Sequence, residues 1–79
     1  MSSHESWFCQ LLYEDGEQGL GSFKQFQIDG RLSKMNAIDV AQREMVTEGM
    51  AGFRLARCRT WYEFDESVFY TELNGERVR

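Results

Sequence analysis

Arg54, Arg57 and Arg59 fall within six residues of one another and run directly into Trp61 and Tyr62. Guanidinium and indole groups combine large contact area with directional hydrogen bonding, the chemistry of energetic anchors at protein interfaces. Neither group supplies a proton acceptor or a nucleophile at neutral pH. The residues that would supply one are sparse. His4 is the single histidine, so any Ser-His or Cys-His pair would have to be assembled at the start of the chain. Cys9 and Cys58 lie far apart, and with one imidazole they offer too few soft ligands for a zinc site. Gly16, Gly19 and Gly21 are spaced G-x-x-G-x-G, but neither a following helix nor a P-loop lysine accompanies them. Adjacent acids, Glu14 with Asp15 and Asp65 with Glu66, read as solvated turn charges rather than an acid and base pair. The expectation is a protein without enzymatic activity, with no catalytic, cofactor-binding or metal-binding residues.

The elements that position the arginines follow from hydrophobic patterning. Ser6 to Glu14, SWFCQLLYE, is rich in aromatic and aliphatic residues and too short for a lone helix, so it reads as a strand. An acidic, glycine-rich hairpin loop from Asp15 to Gly21 leads to a second strand, Ser22 to Asp29. Phe23 and Phe26 do not share a period-two face there, which calls for a bulge or an aromatic on the solvent side. After the Asp29-Gly30 turn, Ile38, Ala41 and Met45 form one helical stripe with Val40 and Val46 at its edges. The helix is expected from Ser33 to Thr47, capped by Ser33 or Asn36, with Asp39 in its first turn and Gly49 as its stop. Met35, Met45 and Met50 read as core filler.

Two long strands, Ala51 to Phe64 and Ser67 to Val78, joined by an Asp65-Glu66 turn, complete the pattern. The fold class expected is α+β, in the order β-β-α-β-β, with a single helix packed on an antiparallel sheet. On a strand, Phe53, Leu55, Arg57, Arg59 and Trp61 share one face and Arg54, Ala56, Cys58, Thr60 and Tyr62 the other. The same arginines have a structural alternative: pairing with Glu14, Glu63 or Glu72 on neighbouring strands while their stems cover apolar surface.

Composition bounds what such a surface binds. A chain of 79 residues reads as one domain, 1–79, with one modest core. Six Phe, three Tyr and two Trp suffice to build that core. Nine Lys and Arg against 13 Asp and Glu leave a formal charge of −4, which repels phosphate overall and argues against direct nucleic-acid or anionic-membrane binding. The first residues lack a basic start and an apolar run, and no segment is apolar enough to span a bilayer, so a cytoplasmic location is expected. Two isolated thiols fit a reducing compartment, and Cys9 and Cys58 read as small apolar strand residues.

The segment Ala51-Gly52-Phe53 followed by Arg57-x-Arg59 resembles the final strand of the small coliphage inhibitor of host bacterial RNA polymerase, a host-takeover protein. That family places a hairpin before one helix, then an Ala-Gly-Phe turn into a strand bearing the Arg-x-Arg pair, an order similar to the one read here. The resemblance implies a monomeric phage protein that inhibits transcription in the host cytoplasm. It also implies that Arg57 and Arg59 grip acidic residues on the jaw of the polymerase's largest subunit; Arg54 and Trp61, read on the same strand, are expected to be partner-binding from their residue types. An acidic strip, here Glu14, Asp15 and Glu17 with Asp65 and Glu66 as a second cluster, would obstruct the downstream DNA channel. The family's strand ends at a proline and a short tail, whereas here Thr60 leads to Trp61 and further elements. Other classes fit the same composition: an acidic inhibitor of another host nucleic-acid machine, such as an anti-CRISPR protein, or a small protein-binding adaptor. A nucleic-acid accessory module would bind in a salt-sensitive way, and a homo-oligomer would expose Phe23, Phe69 or Trp61 on an edge.

Overall fold

A computed structural model of the protein describes residues 5–12 and 24–78, and the elements run β1 (Ser6–Leu12), β2 (Lys24–Ile28), α1 (Lys34–Glu48), β3 (Gly52–Cys58), α2 (Trp61–Asp65), β4 (Tyr70–Leu73) and β5 (Glu76–Val78). The expected loop from Asp15 to Gly21, and Phe23 with it, lie outside the described residues. The strands form one antiparallel sheet in the order β2-β1-β3-β4-β5. This is the α+β plan of a main helix on an antiparallel sheet that the patterning implies, with a short helix and a fifth strand added.

Both faces of the sheet carry apolar cover. On the α1 face, Trp7, Cys9 and Leu11 of β1, Ile28 of β2 and Phe53 and Leu55 of β3 pack with Ala37 and Ala41 of the helix. The two alanines allow the helix backbone a close approach, and Ile38, Val40 and Met45 flank them. On the opposite face Phe8, Ala56 and Cys58 pack with Phe64 of α2. Covering both faces explains why six consecutive residues of β1, Trp7 to Leu12, are buried where a one-sided strand would alternate. It also sets Cys9 and Cys58 in different clusters, both as free, buried thiols.

The α1 boundaries follow local chemistry. Ser33 is the N-cap, its Oγ accepting from the Asn36 N–H at 3.2 Å. Gly49 ends the helix with φ 72°, a left-handed conformation that glycine adopts without a Cβ clash, and the Met50 N–H closes on the Met45 carbonyl at 2.9 Å. Three readings of this helix are corrected. Asp39 lies beyond the first turn and pairs with Arg43 at 2.9 Å. Met35 is 81 % and Val46 72 % exposed, so neither fills the core. Ala37, at the same helical face as Ala41, takes the central place instead.

The two long C-terminal strands are also corrected. The chain leaves the sheet at Cys58, because Thr60 caps a new helix: its Oγ1 accepts from the Glu63 N–H at 3.1 Å, and the Glu63 carboxylate reaches back to the Arg59 N–H at 3.0 Å. Thr60 thus satisfies one orphan donor of the helix start as its N-cap, and the T-x-x-E spacing lets Glu63 hold the residue before the cap instead of the cap itself. Trp61 and Phe64, three residues apart, then face the sheet together. Further on, Asn74 (φ 55°) and Gly75 (φ 84°) form a two-residue turn between β4 and β5. Positive φ at both central positions is the Asn-Gly hairpin preference, whose twist matches the flanking strands.

Candidate partner-binding surface

The surface is assembled where β3 ends, beside the start of β1 and the turn that precedes α1. Antiparallel register sets Trp7 opposite Arg57 and Ser6 opposite Cys58. Trp7 is buried and its indole Nε1 donates to the Leu32 carbonyl oxygen at 2.9 Å. The exposed Arg57 guanidinium lies over that indole, its Cζ 4.7 Å from the ring centroid, and its Nη2 donates to the same Leu32 oxygen at 3.0 Å. A cation over an aromatic face gains electrostatically from the ring quadrupole. One carbonyl thus holds both the platform and the cation above it.

Only one of the five guanidinium N–H groups is used by Leu32. Each Nη2 hydrogen belongs to a different two-donor edge, so one complete edge of Arg57 stays free for a planar carboxylate. Arg59 follows just beyond β3, exposed, its backbone N–H tied to Glu63 while its guanidinium makes no hydrogen bond or ion pair with a described residue.

The turn beneath this cluster is pinned by close packing. A Cβ at Gly30 would lie 1.8 Å from the Glu5 carbonyl oxygen, so only glycine lets the turn rest against the chain entering β1. Asp29 Oδ1 accepts from the Arg31 N–H at 2.9 Å and from its Nε at 3.2 Å, while Oδ2 accepts from Nη2 at 3.0 Å. That two-pronged contact with Arg31 holds the Asp29 carboxyl below its ordinary value.

The remaining residues expected at this surface are distributed differently. Trp61 belongs to α2 and packs edge-on against Phe8 (4.6 Å, 80°) and Phe64 (5.2 Å, 78°), on the sheet face opposite Arg57. It does not share a face with Arg57, because the strand that would have aligned Arg57, Arg59 and Trp61 stops at Cys58. Arg54 also points to that opposite face. Its guanidinium sits 4.7 Å from the Phe69 centroid, Nη1 donates to Gln10 Oε1 at 3.4 Å, and burial lowers its pKa while the charge of Asp65 opposes the shift. None of the three arginines forms an ion pair with a described acid. Glu72, one of the suggested partners, instead accepts from Gln42 Nε2 at 2.9 and 3.1 Å and from the Tyr70 hydroxyl at 2.6 Å.

Glu14, Asp15 and Glu17 lie outside the described residues. Asp65 and Glu66 are exposed at the end of α2, next to the exposed Glu63. Sequence reasoning missed Trp7 and the Leu32 carbonyl. Their joint position depends on the β1–β3 register and on the turn packing, neither of which a linear pattern encodes. Among the described residues no three His, Cys, Asp or Glu side chains converge on a metal-sized site, and no helix is long and apolar enough to cross a membrane.

No family model matches the chain, and no curated protein or solved structure matches it either.

Proposed function

We propose that the protein acts by binding an acidic face of a larger protein through Arg57 and Arg59, and that its partner is bacterial RNA polymerase, which it inhibits in the manner of a small phage protein. The observation that carries the reading is the guanidinium of Arg57, fixed over Trp7 and anchored to Leu32 while a complete donor edge stays free. Immobilising a long side chain before binding lowers the entropy lost on association, and desolvated arginines dominate many interfaces. Arg59 adds a second exposed guanidinium two residues further on, matching the Arg-x-Arg pair of the resemblance. The exposed acids Glu63, Asp65 and Glu66 supply negative charge on α2 and its cap, suited to repelling DNA from a channel once the arginines are seated.

The test is a pull-down with tagged protein from bacterial lysate at moderate salt, followed by transcription with purified polymerase. Polymerase retention and inhibition are expected for the native chain. Both are expected to fall at least about 100-fold for the Arg57→Glu, Arg59→Glu variant, since truncating or reversing interface anchors costs 2 kcal/mol or more each, roughly. Polymerase absent from the native pull-down, or retained equally by the variant, rules the reading out.

A further inference from the structure

The chain holds two asparagines, and the fold places them in opposite environments. Asn36 sits in the first turn of α1, where its N–H donates to the Ser33 Oγ at 3.2 Å. The residue after it, Ala37, is fully buried and its N–H donates to the Ser33 carbonyl at 2.9 Å. Asn74 is exposed at the first central position of the turn between β4 and β5, with φ 55°, and the exposed Gly75 follows with φ 84°. The Asn74 N–H donates to the Ala51 carbonyl at 2.9 Å, which fixes the incoming side of the turn. Neither the Asn74 carboxamide nor the Gly75 N–H makes a hydrogen bond with a described residue. A Cβ placed at Gly75 would meet nothing within 4 Å, so no neighbouring group shields its peptide nitrogen from water. Asparagine is a chemically labile residue. Attack on its side-chain carbonyl by the next backbone nitrogen closes a five-membered ring, and a bulky following residue or a bonded, buried N–H blocks that step. Asn36 carries such a block and Asn74 carries none.

We propose that Asn74-Gly75 is a self-modification site, which converts Asn74 to isoaspartate in the folded chain and thereby releases β5 from the sheet. The Gly75 nitrogen gives its proton to hydroxide and attacks Asn74 Cγ. The N–Cγ bond forms, the Cγ–Nδ2 bond breaks, and the side-chain nitrogen takes up a proton from water and leaves as ammonia. Water then opens the cyclic imide. Opening at the main-chain carbonyl routes the backbone through Cγ and leaves isoaspartate, whereas opening at Cγ leaves aspartate. Water is the only co-reactant and nothing is oxidised. A two-residue hairpin sets register through its length and its positive φ values, and isoaspartate adds one carbon to that backbone. Either product also places a carboxylate close to Glu76. β5 has three residues and pairs with β4 alone, so little else holds it. Its release takes the Arg77 guanidinium from the Tyr70 ring, 5.2 Å away, and leaves β4 as an open margin of the sheet. The site lies by Ala51 at the start of β3, whereas Arg57 and Arg59 stand at the end of that strand, and its chemistry needs no partner.

The native chain is incubated in mildly alkaline buffer beside Asn74→Gly, which keeps the left-handed turn and lacks the amide. Peptide mass spectrometry reads the exchange of NH2 for OH at each asparagine and separates isoaspartate from aspartate, while amide hydrogen exchange reads the β4–β5 hairpin. Asn74 is expected to lose its amide at least about tenfold faster than Asn36, and the hairpin amides of the aged native chain to exchange at least about tenfold faster than in the fresh chain, as local opening becomes easier. Aged Asn74→Gly is expected to exchange as it does when fresh. An Asn74 that keeps its amide, or equal loss at the two asparagines, overturns the site. Modified Asn74 with unchanged hairpin exchange overturns the release of β5.

Discussion

At the scale of the residue, two arginines three positions apart illustrate how one side-chain type takes opposite roles. Arg57 spends one N–H on a carbonyl and presents the rest to solvent, whereas Arg54 is folded over Phe69 and reaches Gln10 on the other face of the sheet. Gln10 in turn donates to Gln25 Oε1 at 2.7 Å, so Arg54 closes a polar chain across three strands. Arg54→Ala is expected to lower stability by about 1–2 kcal/mol in urea unfolding, through loss of the cation over Phe69 and of a donor to a buried amide. Its affinity for the partner should stay within about twofold of native, the reverse of the pattern expected for Arg57→Ala. Loss of binding in Arg54→Ala without loss of stability would move Arg54 back among the binding residues. Period-two alternation correctly separated Arg54 from Arg57, because side-chain direction on a strand is a local property. It failed for Trp61, where the strand had already ended.

At the scale of the element, α2 shows why that end was hard to read. Thr60-Trp61-Tyr62-Glu63 carries the T-x-x-E start signal, yet the same stretch is dense in β-favouring aromatics, and a five-residue helix has no stability alone. Its stability comes from Trp61 and Phe64 docking on Phe8, with Phe69 tilted against Phe64 at 4.7 Å. Thr60→Val keeps the shape of the side chain but removes the oxygen that accepts from Glu63. It is expected to cost about 1 kcal/mol, as N-cap losses do, while Thr60→Ser costs little. The tryptophan emission of Thr60→Val, read in a Trp7→Phe background so that only Trp61 reports, should shift to the red as its contact with Phe8 loosens. An unchanged spectrum and midpoint would mean that docking alone holds α2. The Asn74-Gly75 signal was equally present in the sequence, and passes unnoticed when an aromatic run to its N-terminal side suggests one continuous strand.

At the scale of the whole molecule, a sheet covered on both faces places its inner strand in a dry environment, and the pH dependence of stability records it. Burial, with a smaller contribution from the Glu44 charge, pushes the Cys9 thiol from 9.0 up to about 12. The unfolded chain releases this proton near 9 and the folded chain retains it, so the stabilisation is complete below pH 9 and is lost as pH rises towards about 12. Tyr70, raised chiefly by its hydrogen bond to Glu72, acts with the same sign, as does Lys24, raised by its bonds to Glu44 and Glu48. The urea midpoint should therefore fall steadily above pH 9, and Cys9→Ala should flatten the first part of that fall even if its midpoint at neutral pH is lower. A Cys9→Ala curve parallel to native would show that the thiol does not ionise on unfolding in this range.

What the sequence by itself determined is the set of local choices whose physics lies within a few residues. Ser33 and Gly49 bound α1 through caps, Ile38, Ala41 and Met45 mark its inward side, and the hairpin, helix, strand order that makes an α+β sheet follows from periodicity. What only the tertiary structure decided is which distant groups meet. The β1–β3 register brings Trp7 under Arg57, the Gly30 contact with Glu5 brings the Leu32 carbonyl to the same edge, and docking on Phe8 turns Trp61 away from them. Register and docking depend on the packing of both sheet faces at once, so no spacing along a single chain encodes them, and the surface proposed to bind a partner is a product of that packing.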